Sequence, residues 1–153
     1  MAGKGRRAAS VGLPVTGVEV LLAVLLLSTA YGVVHRARSG RVREAAPDQD
    51  DLRPVLARLG EQAGERATLL QFSSAFCAPC RATRRVLGEV AAVVPGVRHV
   101  EVDAEAHLDV VRELGISSTP TTLVLDAAGR VTARATGQPR KDDVLAALAG
   151  AVP

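Results

Sequence analysis

The apolar positions of this 153-residue chain fall into two regimes. From Leu13 to Val34 they run almost unbroken: 22 residues carry Glu19 as their only charge, and the densest stretch is Val20 to Leu27. From residue 51 onward they recur instead at the spacings of amphipathic helices and buried strands. A bilayer-spanning helix needs about 20 mostly apolar residues. Residues 13–35 are therefore expected to form a single transmembrane helix, preceded by a tail at 1–12. Glu19 would lie at headgroup depth, and Tyr31 is placed as an interfacial anchor.

A cleaved signal peptide competes for the same segment. Lys4, Arg6 and Arg7 precede the run, and Ser28-Thr29-Ala30 supplies small residues for cleavage. Against it, Gly32-Val33-Val34 stay apolar, and Arg36, Arg38, Arg41 and Arg43 follow at once. Such a cluster resists translocation, which favours an uncleaved anchor. The positive groups on the two sides nearly balance, with a slight lean toward a cytoplasmic C-terminal part. A translation start near Val15 would remove the N-terminal positives and strengthen that lean.

Residues 36–50 are charged, contain Pro47 and show no apolar period, so they read as a linker. The rest, 51–153, is expected to be one domain. Asp50 or Asp51 can cap a helix from Leu52 to about Gly64, with Leu52, Val55, Leu56 and Leu59 on one stripe and Pro54 in its first turn. A buried strand follows at 67–73. A helix over 81–94 carries Val86, Leu87, Val90, Val93 and Val94, and Pro95-Gly96 ends it. Val97 to Val102 alternates as a strand, with Val100 and Val102 on one face. A helix opening at Asp103 carries Leu108, Val111 and Leu114 and stops at Gly115. Thr121–Leu125 and Arg130–Ala135 form a hairpin around Asp126-Ala127-Ala128-Gly129. A last helix spans about 141–148, with Val144, Leu145 and Leu148 inward. The order αβαβαββα predicts an α/β layered fold.

Composition changes this picture in two places. Phe72, Phe76 and Tyr31 are the only aromatic residues, so the core must be built from Val, Leu and Ala. The net charge of +3 is unevenly placed: residues 1–46 carry seven basic and two acidic groups, residues 47–153 twelve and fourteen. The basicity flanks the apolar run, and no basic face with interleaved aromatics supports nucleic-acid binding. Seventeen of the nineteen basic residues are Arg, as a GC-rich bacterial genome would give. The expected location is a bacterial cytoplasmic membrane, in a single pass.

The chemistry concentrates at Cys77-Ala78-Pro79-Cys80, the only cysteines, at the boundary between the 67–73 strand and the next helix. Unpaired N–H groups and the positive end of a helix dipole stabilise a thiolate, lowering a cysteine pKa from about 8.5 to roughly 3.5–7.5. Structural zinc needs four ligands, and His35, His99 and His107 show no ligand spacing, so no metal is expected. A purely structural disulfide across so short a loop would restrain little chain entropy. Thiol–disulfide exchange is the reading that uses both cysteines.

Phe76-Cys77-Ala78-Pro79-Cys80-Arg81 between a strand and a helix, then Val100-Glu101-Val102-Asp103, then Gly115-Ile116-Ser117-Ser118-Thr119-Pro120-Thr121, and finally Gly137 after the hairpin make this chain resemble the thioredoxin family over 51–151. The resemblance implies a central mixed sheet flanked by helices. It implies Cys77 as the exposed attacking thiolate and Cys80 as the buried resolving thiol. It makes Pro120 the cis-proline whose loop packs on the cysteines, with Thr119 offering its backbone to an extended substrate segment. Gly137 would line the substrate groove. No cofactor is implied beyond the Cys77–Cys80 disulfide.

The chain also departs from the family pattern. Phe76 replaces the usual tryptophan, and Ser73-Ser74 stand where an aromatic and a small residue are common. Ala78 replaces a glycine between the cysteines, whereas Pro79 agrees with the reducing members. Gln71 occupies the place of a buried acid and cannot accept a proton at neutral pH. His99 falls where a lysine is frequent; it could replace that base or be a satisfied strand histidine. The expected function is a membrane-tethered thiol–disulfide oxidoreductase. Its expected partners are protein disulfide or dithiol substrates, a reductase or low-molecular-weight thiol as electron donor, and membrane lipid through residues 13–35. The alternative, motivated by Gln71, is a non-catalytic binding module of the same fold that holds partners at the membrane.

Overall fold

The computed structural model describes residues 15–38, 40–44 and 51–152. The expected tail at 1–12, the first residues of the apolar run (Leu13 and Pro14), Pro47 and Asp50 lie outside the described residues. The chain forms two units, divided after Arg36.

The described part of the first unit belongs to helix α1, Val15–Arg38, which runs two residues past the division and whose 24 residues make it about 36 Å long at 1.5 Å per residue. Gly17–Val34 within it is long and apolar enough to cross a membrane, and none of that stretch is buried inside the protein. A signal sequence near an N-terminus can meet the same criterion of length and apolarity.

The second unit is a five-stranded mixed sheet with helices on both faces. In chain order its elements are β1 (Val42–Glu44), α2 (Arg53–Arg58), β2 (Ala67–Ser73), α3 (Ala78–Val93), β3 (Val97–Asp103), α4 (Leu108–Glu113), β4 (Thr121–Asp126), β5 (Val131–Thr136) and α5 (Lys141–Ala151). The strand order is β1-β5-β4-β2-β3. β2 and β3 are parallel, as a βαβ crossover through α3 requires; the other pairs are antiparallel. Every residue of β2 and β4 is buried, because helices cover both faces. Leu70, Phe72, Val100, Val102, Leu123 and Leu125 pack with Leu56 of α2 and Val110 of α4. Ala67, Leu69 and Val124 pack on the opposite face with Leu87 and Val90 of α3 and Val144 and Leu148 of α5. The expected Val, Leu and Ala core is thus two sheets of contact, with Phe72 its one buried aromatic ring. A bulge opposite Val124/Leu125 puts Val131 and Ala133 on different faces although they are two apart.

The structure corrects several expectations. Val42–Glu44, inside the expected linker 36–50, is an edge strand on β5, held from its first side by the Gly40 N–H to the Thr136 carbonyl at 2.6 Å. Three residues with one apolar station carry too little alternation to be read as a strand. The helix expected to reach Gly64 stops at Arg58, where Leu59 and Gly60 (φ +73°) turn the chain. Asp51 does not occupy its cap position, yet its carboxylate accepts the Arg53 N–H. The helix expected from Asp103 begins at Leu108, which is half exposed, and Val110 is its buried residue. Val93 points to solvent at 65% exposure, and Leu145 is also exposed.

Candidate active site

β2 ends at Ser73, and the chain crosses four residues before α3 begins at Ala78. Cys77 is the N-cap of that helix: its backbone is extended, and Pro79 stands in the first turn, where a missing N–H costs nothing. The Cys80 N–H is shared between Cys77 Sγ at 3.1 Å and the Cys77 carbonyl at 3.2 Å, so a donor of the helix's first turn reaches the sulfur. Cys77 and Cys80 form a disulfide with a Cα–Cα distance of 5.2 Å. The two sulfurs are unequal. Cys80 is 1% exposed and lies on the buried stripe of α3 with Thr83, Leu87 and Val90, whereas Cys77 is half-buried. Phe76 beside it is 98% exposed, and Ala78 and Pro79 are also exposed.

Behind Cys80 lies Gln71, fully buried in β2. Its Nε2 donates to the Cys80 carbonyl at 3.0 Å. Because that carbonyl can only accept, Gln71 Oε1 is left to accept from His99 Nε2–H at 3.1 Å. This chain of two hydrogen bonds fixes the His99 tautomer when the ring is neutral, with Nδ1 as its free lone pair. Burial pushes the His99 pKa down, against a smaller upward pull from Glu101 and a downward push from Arg84. His99 is therefore linked to the Cys80 carbonyl through Gln71. Thr83 Oγ1 and Thr122 Oγ1, both buried, have no hydrogen-bond partner among the described residues; Thr122 pairs with Gln71 in the sheet.

On the outer side, β3 carries Glu101 next to the end of β2. Its carboxylate accepts from Ser73 Oγ and from Arg84 Nη2 at 2.6 Å each. Burial would raise the Glu101 pKa, but the bonds from Arg84 and Ser73 outweigh it and hold the carboxyl below its ordinary range. Ser73, Ser74, Ala75, Arg81, Arg84, Glu101 and Asp103 enclose a cleft of about 370 Å³ that reaches both cysteines.

The loop before β4 meets the segment that leads to Cys77. The Thr119–Pro120 peptide bond is cis, and Thr119 Oγ1 lies 3.2 Å from Ser74 Oγ, which ties this loop to the segment leading to Cys77. Gly137 (φ +87°) donates its N–H to the Pro120 carbonyl at 2.8 Å. The structure thus gathers Gln71, Phe76, Cys77, Ala78, Pro79, Cys80, His99, Thr119, Pro120 and Gly137 around one end of the sheet. Sequence reasoning missed the Ser73–Glu101–Arg84 network and the cleft. No local signal marks them, since they depend on the parallel register of β2 and β3, which sets Ser73 beside Asp103. Among the described residues no group of three or more metal-ligating side chains converges.

Comparison with known proteins agrees with this geometry. A family model described as a thioredoxin-like domain matches residues 58–151. A thioredoxin of Chlamydia muridarum is 32% identical over 77 residues, covering 50% of this chain and 74% of that protein. The human thioredoxin domain-containing protein 2 is 38% identical over 61 residues, 40% of this chain but only 11% of that protein. Among solved structures, thioredoxin NaTrxh of Nicotiana alata superimposes with a TM-score of 0.55 at 22% identity, over 72% of this chain and 99% of its own. Thioredoxin f of spinach chloroplast gives 0.53 at 25% identity, over 74% and 96%.

Proposed function

This chain belongs to the thioredoxin family, and from that premise we propose that it is a membrane-tethered thiol–disulfide oxidoreductase acting on protein disulfides through Cys77 and Cys80. The observation that carries the reading is the inequality of the two sulfurs: a half-buried one capping a helix and a buried one behind it. In the reducing direction, the Cys77 thiolate attacks a target disulfide and expels one target thiolate. Cys80 then attacks the mixed disulfide at Cys77, releasing the second target thiol and closing the 77–80 disulfide. Thr119 and Pro120 form the groove against which an extended target segment lies, with Gly137 at its margin and Phe76 as an exposed contact. An electron donor, a reductase or a low-molecular-weight thiol, restores the dithiol. Helix α1 anchors the domain in a bacterial cytoplasmic membrane, on its cytoplasmic face by the slight excess of flanking positive charge.

Insulin-disulfide reduction by the chain and by its Cys77→Ser variant tests this proposal. The variant is expected to fall to the uncatalysed rate; equal rates would overturn the redox reading. The buried amide at Gln71 favours a second reading, a binding module without turnover. A Cys80→Ser variant separates the two, since an oxidoreductase accumulates covalent mixed disulfides with its targets and a binding module holds them non-covalently.

A further inference from the structure

The cleft beside Cys77 exists because the residues that could fill it are small or held aside. Ser73 is bonded to Glu101, Ser74 to Thr119, and Ala75 offers only a methyl group. At about 370 Å³ it falls in the range of small-molecule sites, roughly 300–1,000 Å³. Four charges line it. Arg84 and Glu101 neutralise each other in an ion pair with 2.5 Å between Nε and Oε2. Arg81 and Asp103 remain: both are exposed, and neither has an ion-pair partner among the described residues. Asp103 Oδ1 accepts the Glu105 N–H, which orients the carboxylate without neutralising it. The cleft therefore offers one unpaired cation from the first turn of α3 and one unpaired anion from the end of β3, with the Cys77 sulfur on its wall.

We propose that this cleft is the docking site of a small zwitterionic thiol, a cysteine-derived low-molecular-weight thiol that sets a carboxylate at Arg81 and an ammonium at Asp103. The inference rests on the redox reading above and names its electron donor. The bound thiolate attacks Cys77 Sγ, the accessible sulfur; the 77–80 bond breaks and its electron pair leaves on Cys80, which takes up a proton. A second thiol then attacks the sulfur of the first, releasing a small disulfide and the Cys77 thiolate. Two thiols are oxidised and one protein disulfide is reduced.

The experiment follows opening of the 77–80 disulfide in the full chain in detergent, with reduced glutathione and with uncharged 2-mercaptoethanol as probes. An effect of Arg81 on the reactivity of Cys77 itself acts on both thiols and cancels in the ratio of their rate constants. Arg81→Gln and Asp103→Asn are each expected to lower the glutathione-to-mercaptoethanol ratio about two- to five-fold, the scale of an exposed ion pair, and 1 M salt to erase the difference. Single-charge probes read the two ends separately: Arg81→Gln should slow 3-mercaptopropionate relative to mercaptoethanol, and Asp103→Asn should slow cysteamine. Ratios unchanged in both variants would overturn the docking site while leaving the redox reading standing. Failure of glutathione to open the disulfide would likewise overturn the docking site, whereas the redox reading is judged separately by the insulin assay of the Cys77→Ser variant.

Discussion

Gln71 is the buried amide hydrogen-bonded to the Cys80 carbonyl. A carboxylate in its place would accept a proton; an amide can only orient, and here it links the Cys80 carbonyl to His99. Replacing it by Leu removes two buried hydrogen bonds and leaves the His99 donor facing an apolar group, an expected loss of about 1–3 kcal/mol in denaturant unfolding. His99 also gives the protein a pH dependence of known sign. Burial holds its pKa below the ordinary value of 6.5, so the unfolded chain binds the proton more readily. Stability from this group is complete above about pH 6.5 and is lost as the pH falls toward the lowered folded value. Glu101, also lowered, adds a loss in the same direction, beginning near its ordinary value of 4.5. A His99→Gln variant should flatten the stability profile between pH 7 and 5 and leave the more acidic limb in place, as thermal melts across that range would show.

At the scale of elements, α3 does two jobs with opposite ends. Its first turn presents the cysteines, while Leu87 and Val90 further along anchor it to the sheet. Leu87→Ala is expected to cost about 2–5 kcal/mol, the range for a buried leucine, and to loosen the frame that holds Cys77 against the loop of Thr119. β1 makes a different point. Gly40, just before it, has φ +84°, and a Cβ there would meet the Gln138 carbonyl oxygen at 2.1 Å. Gly40→Ala therefore has both a strained backbone and a clash with main chain. It should release β1 from β5, with faster amide exchange at Val42–Glu44 and along the facing Ala133–Ala135. A soluble fragment intended to carry the whole domain should accordingly begin near Ala37, where the second unit starts, and not at residue 47.

For the whole molecule, tethering is the proposal with the widest consequence. Deleting residues 15–36 should move the chain from the membrane fraction to the soluble fraction without loss of insulin reduction. Retention of the shortened chain on membranes would show that α1 is not the anchor. Thiol-label accessibility of Cys77 in intact cells reads the side of the membrane, and with it the redox poise against which the pair works.

The local order of elements was legible because each rests on near-neighbour rules. Alternation and apolar runs marked β2, β3 and β4, Pro95-Gly96 marked the end of α3, and the cysteine spacing at a strand–helix boundary marked the chemistry. What those rules do not reach is short or depends on partners distant in sequence. Helices α2 and α4 are six residues each, too short for a helical period to declare its ends. β1 is three residues whose pairing lies about 90 positions away in β5. The cleft with Arg81 and Asp103 needs the β2–β3 register and the start of α3 together. The sequence by itself determined the order of elements, the reactive pair and the apolar helix, since propensity, periodicity and spacing are local, and its motifs carried the resemblance that named the fold family. Only the tertiary structure decided that His99 is linked to the Cys80 carbonyl through Gln71, and that Arg81 and Asp103 line one cleft with the cysteines, because burial and charge pairing exist only once distant segments share a surface.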